Sequence, residues 1–148
     1  ALFKGGDLKG AVDAYTRALQ EDEGMYQVWS NRAACHLSME DYPSCVEDCT
    51  RALNLVDPAQ ARQSRLCLRI LVRRGTAHCW AGDFPRGRED LKRALLIDTS
   101  NRQLRDDLGM LVTTTGAASS LQEFMEGKLP DPKQAAMAAL QAAGVQGP

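Results

Sequence analysis

Three stretches decide the fold: GDLKGAVDAYTRAL (6–19), EDYPSCVEDCTRAL (40–53) and GDFPRGREDLKRAL (82–95). They align without a gap. Asp7, Asp41 and Asp83 coincide, as do the large apolar residues Leu8, Tyr42 and Phe84. Small residues recur at Ala11, Cys45 and Gly87, and again at Ala18, Ala52 and Ala94, each of the latter followed by Leu. Between them sit Tyr15, Cys49 and Leu91. A small side chain lets two antiparallel helices approach closely, and a large one fills the space beside the crossing. Upstream, SNRAACHL from Ser30 and VRRGTAHC from Val72 are related in the same way, with Ala33 and Gly75 at the close-contact position.

From Asp7 to Asp41 is a step of 34 residues, and a 34-residue period with a small-large-small series resembles the tetratricopeptide repeat. Asp41 to Asp83 is a step of 42. The eight extra residues fall between Val56 and Leu68, after the Asp57-Pro58 turn, and lengthen the next helix by about two turns. The expected fold is therefore all-α: a tetratricopeptide solenoid of antiparallel helix pairs. Predicted helices cover 8–20, 25–39, 42–55, 62–81 and 84–97, with Ala1–Gly5 ending a helix whose start lies upstream. An Asp98–Asn101 cap leads into a last helix over 102–112, whose Leu104, Leu108 and Leu111 face the final repeat. The domain reading is three repeats and this capping helix over 1–112, the first repeat short of about nine residues, so that the chain reads as a piece of something longer. Residues 113–148 read as a linker and an Ala-rich tail. In that tail Ser120–Glu123 fits a capping box, and Asp131-Pro132 opens a helix to about Ala143.

Composition excludes several classes. Hydrophobic residues make up 44% and charged residues 25% of 148, ordinary for a globular chain, and no apolar run reaches the ~20 residues of a membrane span. A net charge of −1 removes the uniformly basic surface of a nucleic-acid binder. That neutrality is an average, because residues 61–105 carry 11 basic and 4 acidic side chains. The five cysteines (35, 45, 49, 67, 79) include no CxxC pair and read as buried reduced thiols, so neither metal nor cofactor is expected. His36 and His78 recur at matching places, which suggests a structural slot. No nucleophile, base and orienting acid come together, so no catalysis is expected. The pairs Glu47-Asp48 and Glu89-Asp90 read as solvated outer faces.

The first helix of each pair lines the inner groove of such a solenoid. For the second repeat its stripe is Gln27, Ser30, Asn31, Ala34 and Leu37. For the third it is Arg69, Val72, Arg73, Thr76 and Trp80. These put an amide beside two guanidinium groups one turn apart. Arg grips carboxylates with paired, charge-assisted bonds, so Asn31, Arg69 and Arg73 are the candidate peptide-carboxylate site. Gln27, Ser30, Ala34, Thr76 and Trp80 line the groove around it. Arg62 and Arg65 read as solvating a helix face ahead of the groove.

Those three residues resemble the carboxylate clamp of tetratricopeptide co-chaperones, which hold the acidic C-terminal tails of the seventy- or ninety-kilodalton heat-shock chaperones. That family's clamp takes Lys and Asn from the first helix, Asn from the third, and Lys and Arg from the fifth. Asn31 and Arg73 stand at two of these places, and Arg69 replaces the fifth-helix Lys. The first-helix pair would precede Ala1. NRAACHL and VRRGTAHC also look like the C-terminal repeat domain of the dynein axonemal assembly factor family linked to dyslexia susceptibility. The resemblance covers about Ala1 to Leu111. It implies a non-catalytic cytoplasmic adaptor in dynein pre-assembly, with chaperone tails and dynein-assembly factors as partners and neither nucleic acid nor membrane. The alternatives are a scaffold that binds a folded client without reading a free carboxylate, and the regulatory domain of a larger enzyme.

Overall fold

The computed structural model describes residues 7–57 and 59–128, with 133, 136, 137, 140 and 141 beyond them. Among the described residues the helices run in order α1 (Leu8–Glu21), α2 (Tyr26–Ser38), α3 (Tyr42–Leu55), α4 (Ala61–Trp80), α5 (Phe84–Ile97), α6 (Arg102–Thr114) and α7 (Leu121–Met125). Among the described residues there is no strand. Each helix packs chiefly on its chain neighbours: α1 on α2, α2 on α3, α3 on α4, α4 on α5. This is the all-α repeat stack expected from the sequence. The expected Ala1–Gly5 segment lies outside the described residues, as does most of the Ala-rich helix expected after Asp131.

The recurring Asp is a cap. Asp7, Asp41 and Asp83 accept the backbone N–H of Gly10, Ser44 and Arg86 at the start of α1, α3 and α5. Pro43 and Pro85 then sit in the first turn, where a missing N–H costs nothing. Asn101 caps α6 and Ser120 caps α7 in the same way. The turn closing α2 puts Glu40 at φ 60°, and the matching turn after α4 puts Gly82 at φ 84°. Gly takes that left-handed backbone without strain, and Glu does so at a cost.

The extra residues do lengthen α4: it has 20 residues against 13 in α2. The small positions are where helices touch. Ala11, Ala33, Cys45, Ala52 and Ala94 are fully buried. A Cβ on Gly75 would lie 2.6 Å from Leu91 Cδ2, and one on Gly87 would lie 2.8 Å from Cys79 Sγ. One core runs through α2, α3 and α4 around Cys49, Ile70 and Leu71. A second joins α4 and α5 to α6 through Leu91, Leu104, Leu108 and Val112.

That second core continues past Val112, through Ala117, Ala118 and Phe124, all buried. The segment read as a linker is therefore packed over 113–125. Thr113 and Thr114 finish α6, and the turn after it buries two alanines. Arg88 on α5 clamps α7, with Nε donating to the Phe124 carbonyl at 2.5 Å and the guanidinium 5.2 Å from the Phe124 ring centre.

Candidate functional site

Asn31, Arg69 and Arg73 come together. With Gln27, Ser30 and Tyr26 from α2 they line a cavity of about 360 Å³ between α2 and α4. Two successive turns of α4 place Arg69 and Arg73 on one stripe. Arg69 and Asn31 are exposed, and Arg73 is half-buried. Arg73 is also fixed: its Nη1 donates to the Ser30 carbonyl at 2.9 Å and to Ser30 Oγ at 2.8 Å. Both bonds use one nitrogen, so the Nε–Nη2 edge is not taken up by Ser30. Such a half-tethered guanidinium loses little freedom when it receives a carboxylate on its other edge.

The remaining groove residues lie elsewhere on the same helices. Thr76 and Trp80 line a larger hollow of about 830 Å³ with Leu37, Ser38, Glu40, Tyr42 and Gln141. Among the described residues its lining carries one carboxylate, Glu40, and no Lys, Arg or His, which sets it apart from the Arg-lined cavity. Ala34 stays half-buried on α2 and borders neither of these two cavities. Arg62 and Arg65 are exposed, as expected of side chains that solvate a helix face, but they do not stand apart from the groove. They line the same cavity as Arg69 and Arg73, because the longer α4 carries its stripe two turns further along the groove.

The paired carboxylates overturn a second expectation. Glu47 and Glu89 are exposed, but Asp48 and Asp90 are only 2% and 3% accessible. Arg32 donates Nε and Nη2 to the two oxygens of Asp48, both at 2.8 Å, and Nη1 to Thr16 Oγ1 at 3.1 Å. Arg74 repeats this with Asp90, at 2.8 and 2.6 Å, and with Thr50 Oγ1 at 3.1 Å. Each Arg thus ties its own pair of helices to the last helix of the preceding pair. The sequence held a signal for this: Arg and Asp 16 residues apart at matching places in two repeats. His36 and His78 border the same carboxylates, Nε2 lying 3.5 Å from Asp48 and 3.8 Å from Asp90. Burial pushes the His78 imidazole below its ordinary range, and Asp90 and Asp83 draw it partly back. These histidines serve the ion-pair slot.

All five cysteines are buried free thiols. Burial pushes Cys79 up to about 12, and the Cys45 thiol together with burial pushes Cys49 higher still. All five pack as small hydrophobes within the core. Among the described residues no three His, Cys, Asp or Glu are grouped to hold a metal ion, and no helix is long and apolar enough to cross a membrane.

Stacked helix pairs at steps of 34 and 42 residues, small residues at the helix crossings and the likeness to solved tetratricopeptide domains below make this chain a tetratricopeptide-repeat domain. No protein-family model matches it. It is 34% identical over 106 residues to dynein axonemal assembly factor 4 of Rattus norvegicus, a match that takes in 72% of this chain and 25% of that protein. The chain thus spans about a quarter of the length of that relative. Among solved structures it is similar to the second tetratricopeptide domain of human RPAP3 in complex with the HSP70 peptide SGPTIEEVD. That likeness has a TM-score of 0.63 and 28% identity, and covers 74% of this chain and 85% of that one. It also shares its fold with the first such domain of Spaghetti (RPAP3) bound to the HSP90 peptide SRMEEVD, with a TM-score of 0.62, 23% identity, and 74% and 81% of the two chains covered.

Proposed function

We propose that this domain is a chaperone adaptor whose inner groove captures the acidic C-terminal tail of a heat-shock chaperone, and that it acts in cytoplasmic pre-assembly of axonemal dynein. Asn31, Arg69 and Arg73 hold the carboxylates, and no chemistry is performed on the peptide. The observation that carries this reading is the shared cavity of those three residues, with Arg73 held in place by Ser30. The RPAP3 domain bound to an HSP70 peptide supports the ligand class, and the similarity to dynein axonemal assembly factor 4 supports the setting.

In mechanism, the guanidinium groups of Arg69 and Arg73 supply paired donors to carboxylate oxygens. Asn31 supplies an amide that fixes orientation. Groove residues beyond them discriminate among peptides. Titration calorimetry with SGPTIEEVD tests the reading. Arg73→Ala should cost about 1–3 kcal/mol of binding, the scale of a charged hydrogen bond. Amidating the peptide's C-terminus should weaken it severely. Unchanged affinity on amidation would instead favour a scaffold that binds without a free carboxylate.

A further inference from the structure

We propose that Arg62 and Arg65 form an outer anion subsite, which takes acidic side chains lying several residues from the peptide's terminal carboxylate. This rests on the carboxylate-capture reading and adds residues that reading does not use. The two turns by which α4 outgrows α2 carry both of them, and they border the same cavity as Arg69 and Arg73. Steps of three, four and four residues keep all four guanidinium groups on one stripe. From Arg62 to Arg73 the helix rises about 16 Å at ~1.5 Å per residue. An extended peptide covers that distance in about five residues at ~3.3–3.6 Å each.

The row is electrostatically unfavourable by itself. Helix α4 contains no Asp or Glu, and its start has neither a side-chain cap nor an acidic first turn. Arg62 and Arg65 therefore sit at the end of the helix where the dipole disfavours cations. Arg65 pairs with Asp98, but at 3.9 Å and with its own side chain 79% exposed. Arg74, on the same helix, is bound bidentately to a buried carboxylate. A like-charged row with so little compensation is suited to an anionic ligand. The facing amides of Gln27 and Asn31 both donate and accept, which fits a peptide backbone. Residues 61–105 carry 11 basic and 4 acidic side chains, so it is these amides, and not the charge, that favour a peptide over a polynucleotide.

The test compares SGPTIEEVD with a twin in which its Pro, Thr and Ile are Glu, titrated into the whole chain and into an Arg62→Ala/Arg65→Ala variant. The native chain should bind the acidic twin about fivefold more tightly, since exposed ion pairs are individually weak. The double variant should lose that preference, hold SGPTIEEVD within about twofold, and melt no lower than the native chain because the repulsion is relieved. Equal affinity of the native chain for both peptides overturns the subsite, and so does a preference that survives in the double variant. A single-stranded oligonucleotide of matched charge that displaces the twin equally well overturns the peptide assignment. Failure of Arg73→Ala to weaken either peptide overturns the parent reading, which this measurement distinguishes from loss of the twin's preference alone.

Discussion

Buried charge matters most at the level of single residues. Asp48 and Asp90 sit on outer helices whose neighbours Glu47 and Glu89 are exposed, yet both are almost wholly shielded. Each is held by an Arg that also reaches a Thr one repeat back. A bidentate pair of this kind offsets the desolvation of its members, and leaving one member alone does not. Asp90→Ala should therefore destabilise the domain by about 3–5 kcal/mol, because the half-buried Arg74 guanidinium loses both of its carboxylate bonds. Chemical denaturation reads this directly. Glu89→Ala, one residue away and exposed, is the control and should shift the midpoint little. Equal effects of the two would remove the special standing of Asp90.

Helices meet here wherever a side chain is nearly absent, and the sign of a glycine substitution reports which face it occupies. At Gly75 an added methyl would lie 2.6 Å from Leu91 Cδ2 and 2.9 Å from its Cγ, and Leu91 is itself fully buried. Helix propensity favours Ala over Gly by about 1 kcal/mol, but overpacking costs about 1–3 kcal/mol and wins. Gly109 in α6 has nothing within 4 Å of the same position. Gly75→Ala should lower the melting temperature, and Gly109→Ala should raise it by the propensity gain alone. The same contrast shows what the sequence made legible. Asp caps, small contacts and large fillers act locally and repeat, so helix bounds were readable to within a residue or two. The burial of Asp48 and the docking of 113–125 depend on partners far along the chain. Arg88 reaches Phe124 across 36 residues, and no local pattern announces it. Of the candidate site, Asn31, Arg69 and Arg73 were readable because helical spacing places them. Arg62 and Arg65 were assigned to solvent: the length of α4 was readable, but that its added turns border the same cavity as Arg69 and Arg73 depends on how α4 packs beside α2.

Across the whole molecule, the candidate groove and the final cap lie in different parts of the stack, and their energies should separate. The groove is built from α2 and α4, around the first core. The cap is built from α6 and α7 on α5, around the second, with Phe124 fully buried at its end. In a repeat array each unit contacts its neighbours, so stability adds along the stack while a binding face belongs to the units that form it. Both cores include residues of α4, so loss of the cap weakens the whole array, while the lining of the groove cavity comes from α2 and α4 and includes no residue of α6 or α7. Phe124→Ala should then cost about 3–5 kcal/mol, the scale for emptying a buried aromatic site. Arg88→Ala should cost less, since it removes one hydrogen bond and a ring contact. At a temperature where the Phe124→Ala variant remains folded, its affinity for SGPTIEEVD should equal that of the native chain. Denaturant midpoint and calorimetric affinity, measured on the same sample, separate the two effects. A fall in affinity at full folding would show that the cap sets the groove's shape, and would make α7 part of the binding apparatus.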